Sequence, residues 1–465
     1  MRIVLVNVGF MPNEAELKPS PPFGIMQMGA YLRQHGHEVH LLDWSGEELD
    51  AARRATLKDL RPDVVGIHVK ISSTILRALE VSRWAREENA RVIWGGPGPT
   101  TLPLEILGSA PIDAAVLGEG EETAVELLEA MEEGRKLDMV RGIAFTRGAQ
   151  TIRTAPRPRI KDLDRLPLPW WEGLGDLTRY HIPMHGRKVL PLITSRGCPG
   201  NCGFCYAQTM WGGKWAALSP QRVLDNMEHV LALDPAVGGF IIIDDLFYVI
   251  PKRVQQICQG IRERGLDIVW NCEVRADLIS PELLRIMRAA GCRQVLMGVE
   301  TGSDRLLRMV NKRITVETIR QAARAIHDAD MELYAMLVNG LPTETEEDVR
   351  ATERLLRDIE PEYVEFLTYM PYPNTPLYPQ ALVNGFEPPR TLEGWGRMGT
   401  LDISSVEEKG IVGIPEKRYR GMARRTKQRA VMRSYVQAVK KEPFTAPSRG
   451  FKYLLHGGRK GKGGD

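Results

Sequence analysis

The chain has 465 residues, 43% apolar and 26% charged, which is enough for two or three domains with separate cores. No apolar run reaches the roughly 20 residues that span a bilayer, and no signal-peptide pattern is present, which argues against a membrane-spanning or secreted protein. The six cysteines, three of them clustered, favour a reducing cytoplasm over a disulfide scaffold, and the net charge of +3 conceals a strongly basic segment after residue 408.

The first 135 residues alternate short apolar runs with helical patterns. This rhythm predicts βα repeats on a mostly parallel, doubly wound sheet. Gly- and Pro-rich loops follow several strands, at the edge where such sheets bind ligands. No G-x-G-x-x-G follows the first strand, so a dinucleotide site is not supported. The predicted strands are Ile3–Val6, Val39–Leu42, Val64–His68, Val92–Trp94 and Ala114–Leu117; the predicted helices are Ile25–Gln34, Ser73–Glu87 and Glu121–Met131.

A small hairpin at 141–153 closes this region, and a Pro-rich, charged linker follows. A second βα series then begins at Val189. Its six strand–helix units predict an incomplete barrel, in which functional groups gather at the carboxyl ends of the strands. The predicted strands are Val189–Ser195, Phe240–Asp244, Ile268–Cys272, Gln294–Val299, Leu333–Val338 and Tyr363–Leu367; the predicted helices are Pro220–Leu233, Pro251–Arg264, Pro281–Ala290, Val316–Ala329 and Glu346–Ile359.

Three clustered cysteines are the most specific feature of the chain. They are Cys198, Cys202 and Cys205, within Ser195-Arg-Gly-Cys-Pro-Gly-Asn-Cys-Gly-Phe-Cys-Tyr206. One loop can wrap all three sulfurs around a metal centre, yet three ligands are one fewer than a closed zinc site or a fully ligated cubane cluster needs. A [4Fe–4S] cluster held here would have one open iron. The alternative is structural zinc, with His181 or His185 as the fourth ligand.

The arrangement Cys-x3-Cys-x-aromatic-Cys, with Phe204 as the aromatic residue, resembles the signature of radical S-adenosylmethionine (radical SAM) enzymes. The resemblance implies that SAM chelates the open iron through its amino and carboxylate groups. It also implies that an electron from the cluster cleaves SAM to a 5′-deoxyadenosyl radical. The incomplete barrel matches the core of that superfamily.

The resemblance further implies SAM contacts at the ends of the barrel strands. Glu300 would bind the amino group, unless it is an ion-pair partner or a helix cap. Arg275 would bind the carboxylate, and a salt bridge to Asp277 or Glu273 is the alternative. Asp244 and Asp245 would contact SAM at the end of the second strand; the alternatives are a metal or acid/base site formed by the pair, or a cap on the next segment formed by one of them. The full set of implied SAM contacts is Phe204, Asp244, Asp245, Arg275, Glu300 and Gly340.

The N-terminal region resembles the cobalamin-binding domain of the B12-dependent branch of radical SAM enzymes. The matching pieces include Pro21-Pro-Phe-Gly24, Gly95-Gly-Pro97 and Leu117-Gly-Glu-Gly-Glu121. The cobalt-ligating Asp-x-His-x-x-Gly is absent, as is common in this branch. His68 is the candidate to face cobalt, and an ordinary satisfied or solvent-facing histidine is the favoured alternative. The implied cobalamin contacts are Pro22, Phe23, Gly24, His68, Gly95, Gly96, Pro97, Gly118, Glu119 and Gly120.

The C-terminal part carries sixteen Lys or Arg against two Glu between Lys409 and Lys462. A helix is predicted at Glu416–Lys441, with apolar positions at Val431, Met432, Tyr435, Val436 and Val439. Its basic face suits an anionic membrane surface or an acidic substrate, although a solvated face on a helix packed over the barrel mouth is the favoured interpretation. No nucleic-acid partner is expected, because no RNA-binding module accompanies the charge. Cys258, Cys272 and Cys292 are expected to be buried filler.

Together these resemblances, over about residues 1–375, imply a cobalamin-dependent radical SAM methyltransferase that methylates an unactivated carbon using a 5′-deoxyadenosyl radical and methylcobalamin. The alternatives are a B12-dependent cyclase or oxidoreductase resembling the anaerobic porphyrin cyclase, a methylthiotransferase-like enzyme, and a non-enzymatic metal-stabilised binding module. The expected partners are a small or amphiphilic substrate and an electron donor such as flavodoxin or ferredoxin. The predicted divisions are a cobalamin-binding domain at 1–153, a linker at 154–188, a radical SAM barrel at 189–375, a mostly helical segment at 376–456 and a disordered tail at 457–465.

Overall fold

The computed structural model describes residues 1–10, 19–398 and 416–441, so the tail predicted at 457–465 lies outside the described residues. Two seven-stranded sheets form the framework, and helices pack on them. The predicted fold class, a doubly wound α/β domain followed by a partial barrel and a helical segment, is confirmed. In the described ranges no helix is long and apolar enough to cross a membrane.

The first sheet has the strand order β2-β1-β3-β4-β5-β6-β7, with β1 to β5 parallel and β6–β7 an antiparallel hairpin. The strand order reverses at β1, which has β2 on one side and β3 on the other. The carboxyl ends of β1 and β3 therefore lie side by side, with Asn7 opposite His68. Such a switch point is where open α/β sheets bind ligands. The strands are β1 Arg2–Asn7, β2 Glu38–Asp43, β3 Val64–His68, β4 Arg91–Gly95, β5 Ala114–Val116, β6 Ile143–Arg147 and β7 Gln150–Arg153.

The helices of this region include three that the sequence analysis did not predict. Helix α2 was missed because it buries only Leu57 and so has no apolar period; it is started by Asp50, whose side chain accepts a hydrogen bond from the Arg53 amide at 3.0 Å. The short helices α4 and α5 each begin with proline at an early position. The helices are α1 Phe23–Gln34, α2 Ala51–Asp59, α3 Thr74–Glu87, α4 Pro97–Thr101, α5 Pro103–Ser109 and α6 Glu121–Glu132.

The second sheet has the order β16-β15-β14-β13-β12-β9-β8. Strands β9 and β12 to β16 are parallel, as the predicted six units require, while β8 pairs with β9 antiparallel. The strands are β8 Ile182–Met184, β9 Arg187–Leu192, β10 Ser195–Arg196, β11 Ala216–Ala217, β12 Val237–Ile242, β13 Val269–Val274, β14 Cys292–Glu300, β15 Glu332–Asn339 and β16 Tyr363–Thr368. The helices are α7 Ala207–Trp211, α8 Pro220–Leu233, α9 Pro251–Glu263, α10 Pro281–Ala289, α11 Asp304–Met309, α12 Val316–Asp328, α13 Glu346–Ile359, α14 Tyr378–Val383, α15 Leu392–Arg397 and α16 Glu416–Lys441.

The linker packs firmly against both sheets. Trp171 is fully buried, and its indole N–H donates to Asn226 on α8 at 3.1 Å. The same ring meets Phe23 of α1 edge-on, with centroids 5.6 Å apart. Tyr180 donates its hydroxyl hydrogen to Asp43 at the end of β2 at 2.6 Å. These contacts hold the first sheet against the barrel.

Helix α16 packs on the barrel domain, against its edge strand β16 and helix α13. That the helix covers the barrel mouth stays a prediction. Tyr419 is buried, its ring lies 5.5 Å from that of Phe366, and its hydroxyl donates to Glu344 at 2.8 Å. The predicted apolar stripe is wrong at Met432, which is 52% exposed, because the buried face of the helix runs instead through Tyr419, Met422 and Ala430. The other predicted apolar positions lie outside the described side chains.

We expect Tyr419→Phe to lower the free energy of unfolding by about 1–2 kcal/mol, because it removes one of the two donors of the half-buried Glu344 carboxylate and leaves only the Gly340 amide. Urea unfolding near neutral pH measures the change. Tyr363→Phe is the matched control, since Tyr363 is 48% exposed, and it should stay within about 0.5 kcal/mol of the wild type. Equal effects in the two variants would contradict the docking described for α16.

Candidate functional site

The three clustered cysteines lie on the loop between β10 and α7. The loop is anchored at Gly203, whose amide donates to the carbonyl of Val310 at 2.7 Å and whose carbonyl accepts from Leu377 at 2.9 Å. At Gly197 the backbone adopts φ +88°, and a Cβ there would collide with the carbonyl of Lys214. These backbone contacts therefore hold the cysteine loop against the rest of the barrel domain.

The surroundings of the thiols fit an anionic iron–sulfur cluster. Burial raises the pKa of Cys205 to about 12, and the neighbouring Cys202 and Cys198 thiols add to the effect. Two cations face them: the Arg275 guanidinium, 3.6 Å from the sulfur of Cys202, and the Lys312 ammonium. Iron would displace the thiol protons, and the cations would offset the resulting negative charge.

The structure does not support the zinc alternative with a histidine ligand. His181 pairs with Asp234 at 2.7 Å, and His185 pairs with Glu332 at 3.3 Å. Cys258, Cys272 and Cys292 are fully buried, as predicted for filler. The described residues contain no group of three or more His, Cys, Asp or Glu arranged as a preformed metal site. The cysteine trio would therefore need to close around its metal.

The two aspartates after β12 have different roles. The Asp244 carboxylate accepts from the amides of Thr194 and Ser195 at 2.6 and 3.0 Å and from their hydroxyls at 2.6 and 2.7 Å, and the residue is 1% exposed. The prediction of Asp244 as a SAM contact is therefore corrected: it ties β12 to the chain that leads into the cysteine loop. Asp245 accepts from the Gly197 amide at 2.8 Å and lines a large cavity.

Glu300 ends β14 with φ +61°, and its carboxylate forms a buried ion pair with Lys312. Burial of Lys312 favours the neutral amine, but Glu300 and then Cys202 outweigh it, so the pKa of Lys312 is raised. Glu300 thus already has an ammonium partner, which is the ion-pair alternative stated above. The sequence analysis missed Lys312, which lies in a turn with no motif or period to mark it.

Arg275 also forms a salt bridge to Asp277, which was the stated alternative to a contact with the SAM carboxylate. Its guanidinium binds Asp277 at 3.0 and 3.2 Å and donates to the Lys312 carbonyl at 2.8 Å. It still reaches Cys202, so it faces the cysteine loop while it is paired. Nearby Glu273, which the sequence analysis did not select as a site residue, has a pKa raised to about 8 by burial and by the charges of Asp245 and other carboxylates.

Two further predicted SAM contacts lie beside the cysteine loop. Gly340 adopts φ +74° and donates its amide to Glu344 at 2.8 Å, so Glu344 closes this turn and joins it to α16. Phe204 is half-buried against an apolar cluster that includes Val310 and Leu377. A contact of either residue with SAM remains a prediction.

A cavity of about 740 Å³ lies between the two sheets. Its far wall comprises Thr194, Tyr206 and Asp245, from the barrel and the cysteine loop. It also extends between the first sheet and helices α1 and α6, where Leu5 and Leu128 line it. A large ligand with an extended tail fits this shape. All ten predicted cobalamin contacts line it: Pro22, Phe23, Gly24, His68, Gly95, Gly96, Pro97, Gly118, Glu119 and Gly120.

Glycines hold His68 at the floor of this cavity. A Cβ on Gly96, where φ is +96°, would lie 2.7 Å from the His68 ring, and one on Gly24 would lie 3.3 Å from it. Burial lowers the pKa of His68 to about 3, so the imidazole is neutral at physiological pH. Neutral imidazole is the form that ligates metals, so His68 stays a candidate to face cobalt.

The Glu119 carboxylate belongs to a buried ion network between the two sheets. It pairs with Arg196 at 3.1 Å and Arg159 at 3.4 Å and accepts the Ile160 amide at 2.9 Å. Arg196 also binds Glu121 at 2.5 Å. This network links Glu119 to the cysteine loop, which begins at the residue after Arg196, and a direct contact between Glu119 and cobalamin remains a prediction.

Comparison with known protein families agrees with this two-sheet site. Residues 18–128 match the B12 binding domain, and residues 192–356 match the radical SAM superfamily. An anaerobic magnesium-protoporphyrin IX monomethyl ester cyclase from Rubrivivax gelatinosus is 30% identical over 391 residues, which is 81% of this chain and 69% of the cyclase. The chain belongs to the cobalamin-dependent radical SAM enzymes. Its cofactors are a [4Fe–4S] cluster, SAM and cobalamin, as predicted.

Two other proteins of this kind resemble the chain along most of its length. An uncharacterised methyltransferase from Pyrococcus horikoshii is 29% identical over 411 residues, covering 86% of this chain and 88% of that protein. The radical SAM methyltransferase TsrM from Kitasatospora setae, solved with cobalamin and a [4Fe–4S] cluster, superposes with a TM-score of 0.67 at 19% identity. That superposition covers 85% of this chain and 81% of TsrM, and it supports the fold.

We expect Glu121→Gln to lower the free energy of unfolding by about 3 kcal/mol, because it removes the negative charge of one of the two carboxylates that pair with the buried Arg196 guanidinium. Glu122→Gln is the control on the adjacent residue, where the side chain is 42% exposed and 3.7 Å from Arg157. It should cost at most about 1 kcal/mol. Urea unfolding of both proteins decides the question, and similar losses in the two variants would contradict a buried network.

We expect the unfolding free energy of the metal-free protein to fall as the pH rises from 4.5 to about 8, because Glu273 holds its proton in the folded state over that range. The contribution is fully present below pH 4.5 and declines by about 1.4 kcal/mol per pH unit. Glu273→Gln should remove that slope, and exposed Glu282→Gln should keep it. Urea unfolding at pH 5 and 8 under reducing conditions measures both; an unchanged slope in Glu273→Gln would contradict the assignment.

Proposed function

We propose that the protein is a C-methyltransferase, which methylates an unactivated carbon of a substrate held in the cavity between the two sheets. The observation that carries the proposal is this shared cavity. It brings the glycine loops of the B12 binding domain and the cysteine-loop residue Tyr206 to one space of about 740 Å³. A substrate carbon there would lie between the two cofactors.

When bound, the cofactors supply one-electron cleavage of SAM and a methyl group carried on cobalt. The chain's part is binding and exclusion of water. Cys198, Cys202 and Cys205 are the proposed cluster ligands, and Arg275 and Lys312 would offset the charge of the cluster. Buried surroundings limit quenching of a reactive species by solvent.

For SAM, we propose Asp245 and Glu273 as the anionic contacts in addition to the predicted Glu300. Glu273 has no ion pair among the described residues, and burial, followed by the charges of neighbouring carboxylates, raises its pKa. An incoming ammonium group would relieve that repulsion, whereas Glu300 is already paired with Lys312. Phe204 and Gly340 keep their predicted places beside the adenine.

Ring formation is the second candidate function. The observation that favours it is the 30% identity to the magnesium-protoporphyrin cyclase of Rubrivivax gelatinosus. The same cavity and the same cofactors would serve a cyclase, but no methyl group would reach the product. Either reaction requires a reductant such as flavodoxin or ferredoxin. We propose a reducing cytoplasm as the setting, because exposed clusters and free thiols persist there.

Anaerobic purification followed by iron and corrinoid analysis tests the cofactor assignment. We expect about four irons and one cobalamin in the wild type. Cys202→Ala should lose the iron and keep cobalamin. Cys258→Ala is the control, since that cysteine is equally buried and lies in the core of the barrel domain, and it should keep both.

Incubation with methyl-deuterated SAM, reductant and cell extract then separates the reactions. Mass spectrometry should find a product that carries the deuterated methyl group and should detect 5′-deoxyadenosine. Product formation without label would favour the cyclase. A preparation with one zinc and no corrinoid would overturn both functions.

A further inference from the structure

Helix α16 has one face packed on the barrel domain and an opposite face open to solvent. Positions three or four residues apart share a face of a helix. The packed positions have this spacing and are buried: Tyr419, Met422, Thr426 and Ala430. The opposite positions are exposed: Arg424, Gln428 and Met432, at intervals of four residues, and Lys427 beside them. Packing of the first face therefore fixes the orientation in which the second face stays open.

The open face of α16 is basic, and the described residues do not neutralise it. The ion pairs of the helix within the described ranges use Arg425 and Arg433, which reach carboxylates of the barrel domain. Arg424 and Lys427 have no ion pair among the described residues, and after Glu416 the helix contains no acidic residue. Like charges three or four residues apart on a helix repel each other. A partner of opposite charge would relieve that repulsion.

Helix α13, which lies beside α16, is charged in a different way. It has five acidic and three basic residues, and its exposed Arg354 pairs with Glu347 at 2.7 Å. Helix α16 has ten basic residues and one acidic residue. Residues 409–462 together carry sixteen Lys or Arg against two Glu, while the whole chain has a net charge of +3, so the rest of the chain is net acidic. An anionic partner would therefore be attracted to this side of the barrel domain and repelled by the remainder.

An exposed methionine on the same face favours a lipid surface over a nucleic acid as the anionic partner. Met432 is 52% exposed and lies about two turns after Arg424. Helices that bind membrane surfaces combine Lys and Arg, which contact anionic headgroups, with apolar side chains that enter the acyl boundary. The phosphates of a nucleic acid would use the same cations but would leave the methionine in water. Residues 442–465 continue this composition, with Phe444, Phe451 and Leu454 among five Lys or Arg.

We propose that the open face of α16, formed by Arg424, Lys427 and Met432, docks the protein on an anionic membrane surface. The attachment would be peripheral, through headgroup contacts of the two cations and one apolar side chain. The inference does not depend on the cofactors or on the proposed function. It adds a place of action, because the barrel domain would then be held where amphiphilic substrates are found.

The first measurement sediments the full chain with vesicles made of equal parts of phosphatidylglycerol and phosphatidylcholine. The wild type should bind these vesicles, bind vesicles of phosphatidylcholine alone weakly, and lose affinity as the salt concentration rises. Arg424→Gln together with Lys427→Gln should weaken binding by about 25-fold, since each basic residue near an anionic surface contributes about fivefold. The matched control is Lys252→Gln with Arg285→Gln, which removes the same charge from exposed positions of α9 and α10 and should change binding by less than about twofold.

The second measurement separates lipid from nucleic acid. Met432→Gln should weaken vesicle binding by about fivefold, while binding of a labelled single-stranded RNA, read by fluorescence anisotropy, should not change. Equal losses in the two double variants, or a wild type that does not prefer the anionic vesicles, would overturn the docking surface. RNA binding that exceeds vesicle binding and is lost in the Arg424 and Lys427 variant would assign the face to nucleic acid instead. Urea unfolding should be the same in all these proteins, because the altered side chains are exposed.

Discussion

The geometry of the site depends on one buried ion network, in which Arg196 of the barrel lies between Glu119 and Glu121 of the first sheet. Buried ion pairs add little net stability, because desolvation of the charges offsets most of their attraction. They are costly to break, however, and so they specify which surfaces meet. Arg196 immediately precedes the cysteine loop, and Glu119 lies in a loop of the B12 binding domain. The network therefore fixes the position of the cysteine loop relative to the loops of the B12 binding domain.

A second set of charged side chains lies around the cysteine loop, at the carboxyl ends of the barrel strands. Arg275 and Lys312 face the cysteines, and each is held by a carboxylate, Asp277 or Glu300. Asp244 is fully used in holding the chain before the cysteine loop, whereas Glu273 has no ion-pair partner in the part of the chain that the structure describes. Cations thus surround the position of an anionic cluster, while carboxyl groups are left for a cationic ligand. This separation suits SAM, whose sulfonium and ammonium groups are positive.

The sequence predicted the features that depend on local patterns. Alternating apolar runs located the parallel strands of both sheets, cysteine spacing marked the loop between β10 and α7 as the proposed metal loop, and the glycine loops located one wall of the cavity. The misses involve partners distant in sequence. Glu119 and Arg196 are 77 residues apart, and Asp244 is 50 residues from Thr194, so no local pattern marks either pairing. Lys312 lies in a turn, where neither period nor motif distinguishes it from a solvated lysine.

The two walls of the cavity achieve specificity by opposite physical means. The barrel wall is held by charged hydrogen bonds, while the shape of the B12 binding wall depends on glycines, which have no side chains. Gly96 and Gly24 leave the space that the His68 ring occupies, and a Cβ at Gly96 would force that ring to move. A large, mostly uncharged corrin needs a surface of matching shape more than it needs charge, whereas a small charged cosubstrate needs the reverse.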